Sequence, residues 1–246
     1  MTVEFFHVGG SVRDELLGLT PHDLDFAVSG VNSPGELAAA IWAAGGRWGN
    51  LGKLNKGQAK HWTLKAHWGD LKECDFVGCR VEGPYSDGRH PDWVRGGELE
   101  DDIFRRDFTF NALARTLSGE LVDLVGGQED LQNRVVRVGG KGNPDDDAVN
   151  KLLADSIRTF RALRFAVRFD ATLHPSIVKA FDHPDLAAKV ASLNDDSKRK
   201  ELNKLFSFDS FAAIQAVAKL PDALQKALFS SGKLWLKPTT EKVKGH

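Results

Sequence analysis

Long hydrophobic runs are missing from this 246-residue chain: its apolar stretches are short and broken by charge, and none reads as a membrane span. The opening MTVEFFHVGG lacks the basic and apolar regions of a secretory signal, which points to a cytoplasmic location. Cysteine is scarce. Cys74 and Cys79 are too few for a disulfide framework or a four-ligand zinc site, and two such residues are ordinarily core fillers. A dominant charge is absent too: 33 basic and 34 acidic residues leave a formal charge of −1, which excludes a uniformly basic nucleic-acid binder but not local patches. No internal repeat breaks the chain into like units.

What is present suits a folded chain with a sizeable core, 41% hydrophobic and 27% charged, in one large or two modest domains. Charge is distributed unevenly. Residues 47–72 set Arg47, Lys53, Lys56, Lys60, Lys65 and Lys72 against Asp70 alone, a net of +5. Residues 151–168 set Lys151, Arg158, Arg161, Arg164 and Arg168 against Asp155, a net of +4. Either patch, taken alone, reads as a solvated face; a position beside a reactive site would give it a further meaning.

Strands and helices alternate up to about residue 138. EFFHV (4–8) and LDFAV (24–28) read as strands around a helix at 11–18, and 34–45 as a helix with Pro34 at its start and Gly45–Gly46 at its stop. HWTLKAHW and ECDFVGCRV read as two strands joined at Gly69–Asp70, and GPYSDGRHPDWVRGG (83–97) as a loop. Beyond 138, GGKGNPDDD is linker-like and the remainder helical: 147–169, 175–182, 184–190, 196–206, 208–218 and 221–230. The tail KPTTEKVKGH is expected to fray.

Three clusters could carry chemistry. In GGSVRDELLGLTPHDLDFAVSG, Gly9 and Gly10 open a helix with backbone N–H groups unobstructed by Cβ, which suits a triphosphate. Asp23 and Asp25, two apart on a strand, share a face and repel each other unless a cation joins them. A bare D-x-D is better read as two solvated aspartates on an exposed strand edge; the Gly-Gly turn ahead of it reverses that balance toward a pair of Mg²⁺ ions. In DDIFRRDFTFNALA, Arg105, Arg106, Asp107 and Asn111 crowd the start of a helix-like run, where they are either a surface ion pair or phosphate and sugar partners. In LLADSIRTFRALRFAVRF, Leu153, Ile157, Phe160, Leu163 and Val167 form one apolar helix face, with Asp155, Arg158, Arg161 and Arg168 opposite. That is an amphipathic helix with a basic face, and an Asp and an Arg three apart can also hydrogen-bond a base edge.

The order of these clusters resembles the bacterial-type, class II tRNA nucleotidyltransferases, the CCA-adding enzymes, and the related bacterial poly(A) polymerases. Matching segments are GGSVRDELLG with HDLDFAV, RRDFTFNALA, LVDLVGGQEDLQNRVVRVGG, DSIRTFRALRFAVRF and, more weakly, SKRKELNKLF, from residue 7 to about 206. The resemblance implies an α+β fold: a nucleotidyltransferase (polymerase beta-like) head with a mixed β-sheet at 1–138, a helical neck with a base-reading helix at 139–206, and a short remnant of body and tail at 207–246. It implies template-independent addition or repair of the 3′-terminal CCA of tRNA from CTP and ATP, with release of pyrophosphate and Mg²⁺ as cofactor.

By the same resemblance Gly9, Gly10 and Arg13 contact the nucleotide, Asp23 and Asp25 hold the metals, and Asp75 is the third catalytic acid. Arg106, Asp107 and Asn111 hold phosphates and ribose, Asp155 and Arg158 read the base, and Arg161 and Arg164 are further nucleotide contacts. Two departures stand out: Ala154 occupies a position that is usually glutamate, and the chain is shorter than its kin, so that most of the tRNA-gripping body and tail is expected to be missing. Poly(A) synthesis, partial CC or A addition, and a non-catalytic RNA-binding module are the rivals; the loop at 83–97 favours full addition, and three acids count against the last.

Overall fold

The computed structural model describes residues 2–21, 23–48, 62–85 and 91–230. Two compact units result. The first contains the described residues up to Pro84 and Pro91–Gln128; the second contains Tyr85 and the described residues from Glu129.

The first unit is built on a seven-stranded sheet. Its strands are β1 (Glu4–Val8), β2 (Asp25–Ser29), β3 (Gly46–Arg47), β4 (Thr63–Trp68), β5 (Leu71–Gly78), β8 (Ala114–Thr116) and β9 (Leu121–Val122), in the order β3-β4-β5-β2-β1-β8-β9. β2 and β5 run parallel while the other pairs are antiparallel, so the sheet is mixed as expected. A separate hairpin pairs β6 (Arg80–Glu82) with β7 (Val94–Gly96). Residues 94–96 of the stretch expected to be a loop at 83–97 are therefore strand, held by pairing with β6, and residues 86–90 lie outside the described residues.

Strand alternation gives this sheet two apolar faces. Phe26, Val28, Leu64, Ala66, Cys74 and Phe76 face one core, where α2 (Pro34–Ala43) contributes Leu37 and Ile41. Phe26 and Phe76 stack there at a centroid separation of 5.3 Å. Phe6, Val8, Ala27 and Cys79 face the other core, with Ile103 of α3 (Leu99–Arg105) and Ala112. Both cysteines are buried and free, and burial pushes the Cys79 thiol well above its ordinary range, as suits inert core residues. Between β1 and β2 lies α1 (Gly10–Leu16).

The second unit is helical. After α4 (Gly127–Gln132) and β10 (Val135–Val136) come α5 (Pro144–Ala154), α6 (Ile157–Arg168), β11 (Thr172–Leu173), α7 (Pro175–Phe181), α8 (Leu186–Ser192), α9 (Asp195–Phe208), α10 (Ser210–Ala218) and α11 (Asp222–Leu228). The change of composition at residue 138 falls beyond the start of this unit because β10 pairs with β11 and so belongs with the helices. The linker-like GGKGNPDDD is partly helix: Asn143 caps α5 through Asp145 N–H, Pro144 occupies its first turn, and Asp145, Asp146 and Asp147 follow where negative charge favours a helix start.

The expected continuous helix over 147–169 is two helices. Asp155 leaves helical geometry at φ −134° and ends α5, consistent with the tendency of aspartate to favour helix ends over interiors. Ile157, Phe160 and Leu163 are buried on α6, but so is Arg158, which the apolar periodicity had put on the solvated side. Among the described residues no helix is long and apolar enough to cross a membrane. The tail KPTTEKVKGH lies outside the described residues.

Candidate active site

The parallel pairing of β2 and β5 sets Asp25 directly opposite Asp75, and the Asp75 N–H donates to Leu24 O at 2.9 Å. Alternation puts both carboxylates on the face that carries Ala27. Asp23 is exposed in the bend ahead of β2 rather than on the strand itself, yet its charge acts on Asp25. Burial pushes the Asp25 carboxyl above its ordinary range; Arg106 opposes this, the like charges of Asp75 and Asp23 add to it, and Lys65 opposes it. On the far side of β5, Lys65 of β4 is in register with Asp75, and its Nζ lies 2.9 Å from Asp75 Oδ2.

Arg106 enters this neighbourhood from the end of α3. A Cβ on Gly9 would lie 2.8 Å from Arg106 Nη1 and 3.7 Å from Asp25 Oδ2, so the glycine, the guanidinium and the carboxylate share one small space. Gly9 also has a φ of +79°, a left-handed conformation in which any side chain is strained. Its N–H donates to Leu113 O at 3.0 Å, so of the two glycines expected to present free backbone donors, this one already has a partner. Gly10 packs against the Arg13 guanidinium, 3.3 Å from its would-be Cβ to Nη2.

The residues between these points hold one another. Arg13, 4% exposed, forks onto Asp14 Oδ1 through Nε and Nη2 at 2.8 and 2.6 Å, and its Nη1 donates to Asn111 Oδ1. Asn111 Nδ2 donates in turn to Asp107 Oδ1 at 3.1 Å, which also accepts the Phe108 N–H at 2.9 Å. Thr109–Asn111 is a single 3₁₀ turn after α3, where the sequence suggested the start of a helix, so Arg105 and Arg106 close one helix instead of opening another.

The sequence reading missed Asp102. It is fully buried, takes Arg106 Nε and Nη2 on Oδ2 at 2.9 and 2.7 Å, and takes Arg105 Nε on Oδ1 at 2.9 Å. Burial alone would raise its pKa, but the Arg105 and Arg106 guanidiniums outweigh that and hold it at about 2. Arg105 also reaches Glu82, which pairs with Arg80 Nη2 at 2.8 Å. Asp102 stands three and four residues before its arginines on one helix, a spacing that could have signalled the pairing.

In the helical unit, Asp155 is half-buried at the end of α5 and Arg158 is buried in the first turn of α6, its Nη1 donating to Lys151 O at 3.0 Å and its N–H to Asp155 O at 3.0 Å. Arg161 is half-buried on the same helix. Arg164 Nε lies 2.8 Å from Glu201 Oε2 of α9, and its guanidinium covers the Phe165 ring. Of the basic patch at 47–72, Arg47 caps Trp42 O and Gly46 O and Lys65 meets Asp75, while Lys53, Lys56 and Lys60 lie outside the described residues.

Among the described residues no three His, Cys, Asp or Glu side chains close into a ready cage for an ion. Mg²⁺ does not require one, since it is commonly bound by one or two carboxylates together with substrate phosphates and water. The partly buried Asp25, with Asp75 opposite it and the exposed Asp23 nearby, is a donor set that fits such a hard cation.

A mixed sheet carrying paired aspartates beside a glycine turn and an anchored arginine defines the class as a nucleotidyltransferase head. The chain belongs to the Poly A polymerase head domain family, whose profile matches residues 5–137. It is 35% identical over 206 residues to the CCA-adding enzyme of Leuconostoc mesenteroides, covering 82% of this chain and 45% of that protein. It is 32% identical over 233 residues to the CCA-adding enzyme of Oceanobacillus iheyensis, covering 94% and 53%. The Bacillus stearothermophilus CCA-adding enzyme, solved in complex with CTP, superposes with a TM-score of 0.70 at 27% identity, over 92% of this chain and 49% of that one. The chain thus spans about half the length of the relatives it matches.

Proposed function

We propose that this protein is a template-independent RNA nucleotidyltransferase that adds or repairs the 3′-terminal CCA of tRNA from CTP and ATP, releasing pyrophosphate, in the cytoplasm. The observation that carries the reading is the register-matched pair Asp25 and Asp75 with Arg106 packed against Gly9 beside them. The relatives named as CCA-adding enzymes support the choice of substrate. The family's poly(A) polymerase designation keeps AMP-only addition as the alternative.

In this reading Asp23 and Asp25 would hold Mg²⁺, with Asp75 beside them. When bound, the cation supplies charge stabilisation at the triphosphate and lowers the pKa of the attacking RNA 3′-hydroxyl. The protein's own groups do the rest. Arg106, fixed by Asp102, lays donors where phosphate charge develops, and Gly9 leaves the space for them. Asp75 accepts a hydrogen bond from, and orients, the 3′-hydroxyl. Asp107 and Asn111, locked to each other and to Arg13, address the ribose and phosphates. Selection of the base falls to Asp155 and Arg158, with Arg161 and Arg164 assisting.

Incubation of the chain with tRNA lacking its 3′ end, Mg²⁺ and each labelled nucleotide in turn tests the proposal. Ordered addition of two C residues and one A is expected. Repeated A addition without C selects the poly(A) alternative, and no incorporation overturns both.

A further inference from the structure

We propose that Lys65 is a built-in counter-ion of the carboxylate row, and that a divalent cation engages Asp75 by displacing it, so that this lysine sets the affinity of the site for the cation. The proposal rests on the nucleotidyl-transfer reading above. Lys65, Asp75 and Asp25 occupy one line across three neighbouring strands: Lys65 pairs in register with Asp75, and Asp75 with Asp25. Alternation puts the three on one sheet face, because Leu64, Cys74 and Phe76, their chain neighbours, all point into the opposite core. The ammonium lies 2.9 Å from Asp75 Oδ2 and its charge also acts on Asp25, which is crowded by Asp75 and Asp23.

An ammonium and a divalent cation make competing demands on the same carboxylate. The lysine contributes one positive charge and three donors that must end on oxygen lone pairs; a hard cation needs those lone pairs as ligands. The Lys65 and Asp75 side chains are 68% and 41% exposed, so the lysine can swing into water without opening a cavity. Exposed ion pairs are weak, and displacement therefore changes affinity severalfold rather than by orders of magnitude.

Binding of Mn²⁺ to the full chain without nucleotide, followed by the electron paramagnetic resonance signal of the free ion, tests this directly. Lys65→Met and Lys65→Thr should bind Mn²⁺ about three- to tenfold more tightly than the unaltered protein. Lys65→Arg, which keeps the charge, should bind much as the unaltered protein does. In an Asp75→Asn background the gain from Lys65→Met should shrink to the smaller part that its action on Asp25 leaves. Circular dichroism identifies any variant that fails to fold, and two neutral replacements, one of them a good strand former, keep the comparison decisive. Equal or weaker binding by the neutral variants, or a gain that persists undiminished in Asp75→Asn, overturns the role of Lys65 alone. If the unaltered protein and every variant leave Mn²⁺ free at millimolar concentration, this inference fails, while the nucleotidyl-transfer reading, in which substrate phosphates complete the cation site, stands or falls separately on the incorporation assay with tRNA and nucleotides.

Discussion

Asp25 and Asp75 stand opposite each other on parallel strands, two like charges on one sheet face with Arg106 and Lys65 acting on them from either side. Such a row is costly to hold in a folded protein unless a cation gives it a purpose. Asp25→Asn should therefore lower nucleotidyl transfer by roughly 1,000-fold or more while leaving the circular dichroism spectrum unchanged. It should also be more stable. With its pKa raised in the fold, Asp25 binds a proton more readily folded than unfolded, so its contribution to stability falls as pH rises from the ordinary aspartate range through the raised value. Melting curves of Asp25→Asn should lie above those of the unaltered protein at neutral pH and converge with them in acid. Retained activity, or a lower melting temperature at neutral pH, would contradict this account.

Asp102 has the opposite sign. Its pKa is held at about 2 by two arginines, so the folded protein resists protonating it, and its stabilising contribution is present above the ordinary aspartate range and lost as pH falls toward 2. Asp102→Ala leaves Arg105 and Arg106 without the carboxylate between them, at an expected cost of about 3–5 kcal/mol. Asp102→Asn keeps the shape and should separate effects: the nucleotide KM should rise because Arg106 is no longer held, and the loss of stability on acidification toward pH 2 should become shallower. Urea titrations at several pH values, alongside steady-state kinetics, check both.

Gly9→Ala strains the chain twice, once at a φ of +79° and once against Arg106 Nη1, 2.8 Å from the new methyl. A free arginine would swing aside, but this one is tied to Asp102 through Nε and Nη2. The expected result is about 1–2 kcal/mol of lost stability and a nucleotide KM raised roughly tenfold. Unchanged kinetics would separate Gly9 from the site even if stability fell.

The head was legible in the sequence where one signal sufficed. Strand alternation and turn glycines located β1, β2, β4 and β5, and Asp23 and Asp25 stood out by spacing, whereas Asp75 was marked only by the resemblance. What depended on register was hidden: nothing in the order of residues says that Lys65 and Asp25 flank Asp75, because pairing between distant strands is settled by the whole sheet. Helix boundaries suffered from a different ambiguity. The apolar period ran through Asp155 without a break, and the capping preference of aspartate at that point is a weaker signal than the repeat that crosses it. Arg158 was misplaced by the same argument, since a buried arginine bonded to a helix-end carbonyl looks, by period alone, like a solvated one.

That double character of Arg158 gives the last prediction. Its Nη1 braces the Lys151 carbonyl near the end of α5, so Arg158→Ala should cost about 1–3 kcal/mol by leaving a partly buried acceptor without its charged donor. If the guanidinium, together with Asp155, also reads the nucleotide base, the same variant should lose preference for CTP and ATP over UTP and GTP by roughly tenfold or more, with a smaller change in the KM for triphosphate. Arg158→Lys distinguishes the two roles. A lysine can still reach a carbonyl with one donor, but it lacks the planar fork needed to tell base edges apart, so stability should largely recover while selectivity does not. Melting temperature and the four nucleotide incorporation rates, measured on both variants, decide the matter: selectivity that returns with stability in Arg158→Lys would leave Arg158 as a brace between two helices and move base selection elsewhere.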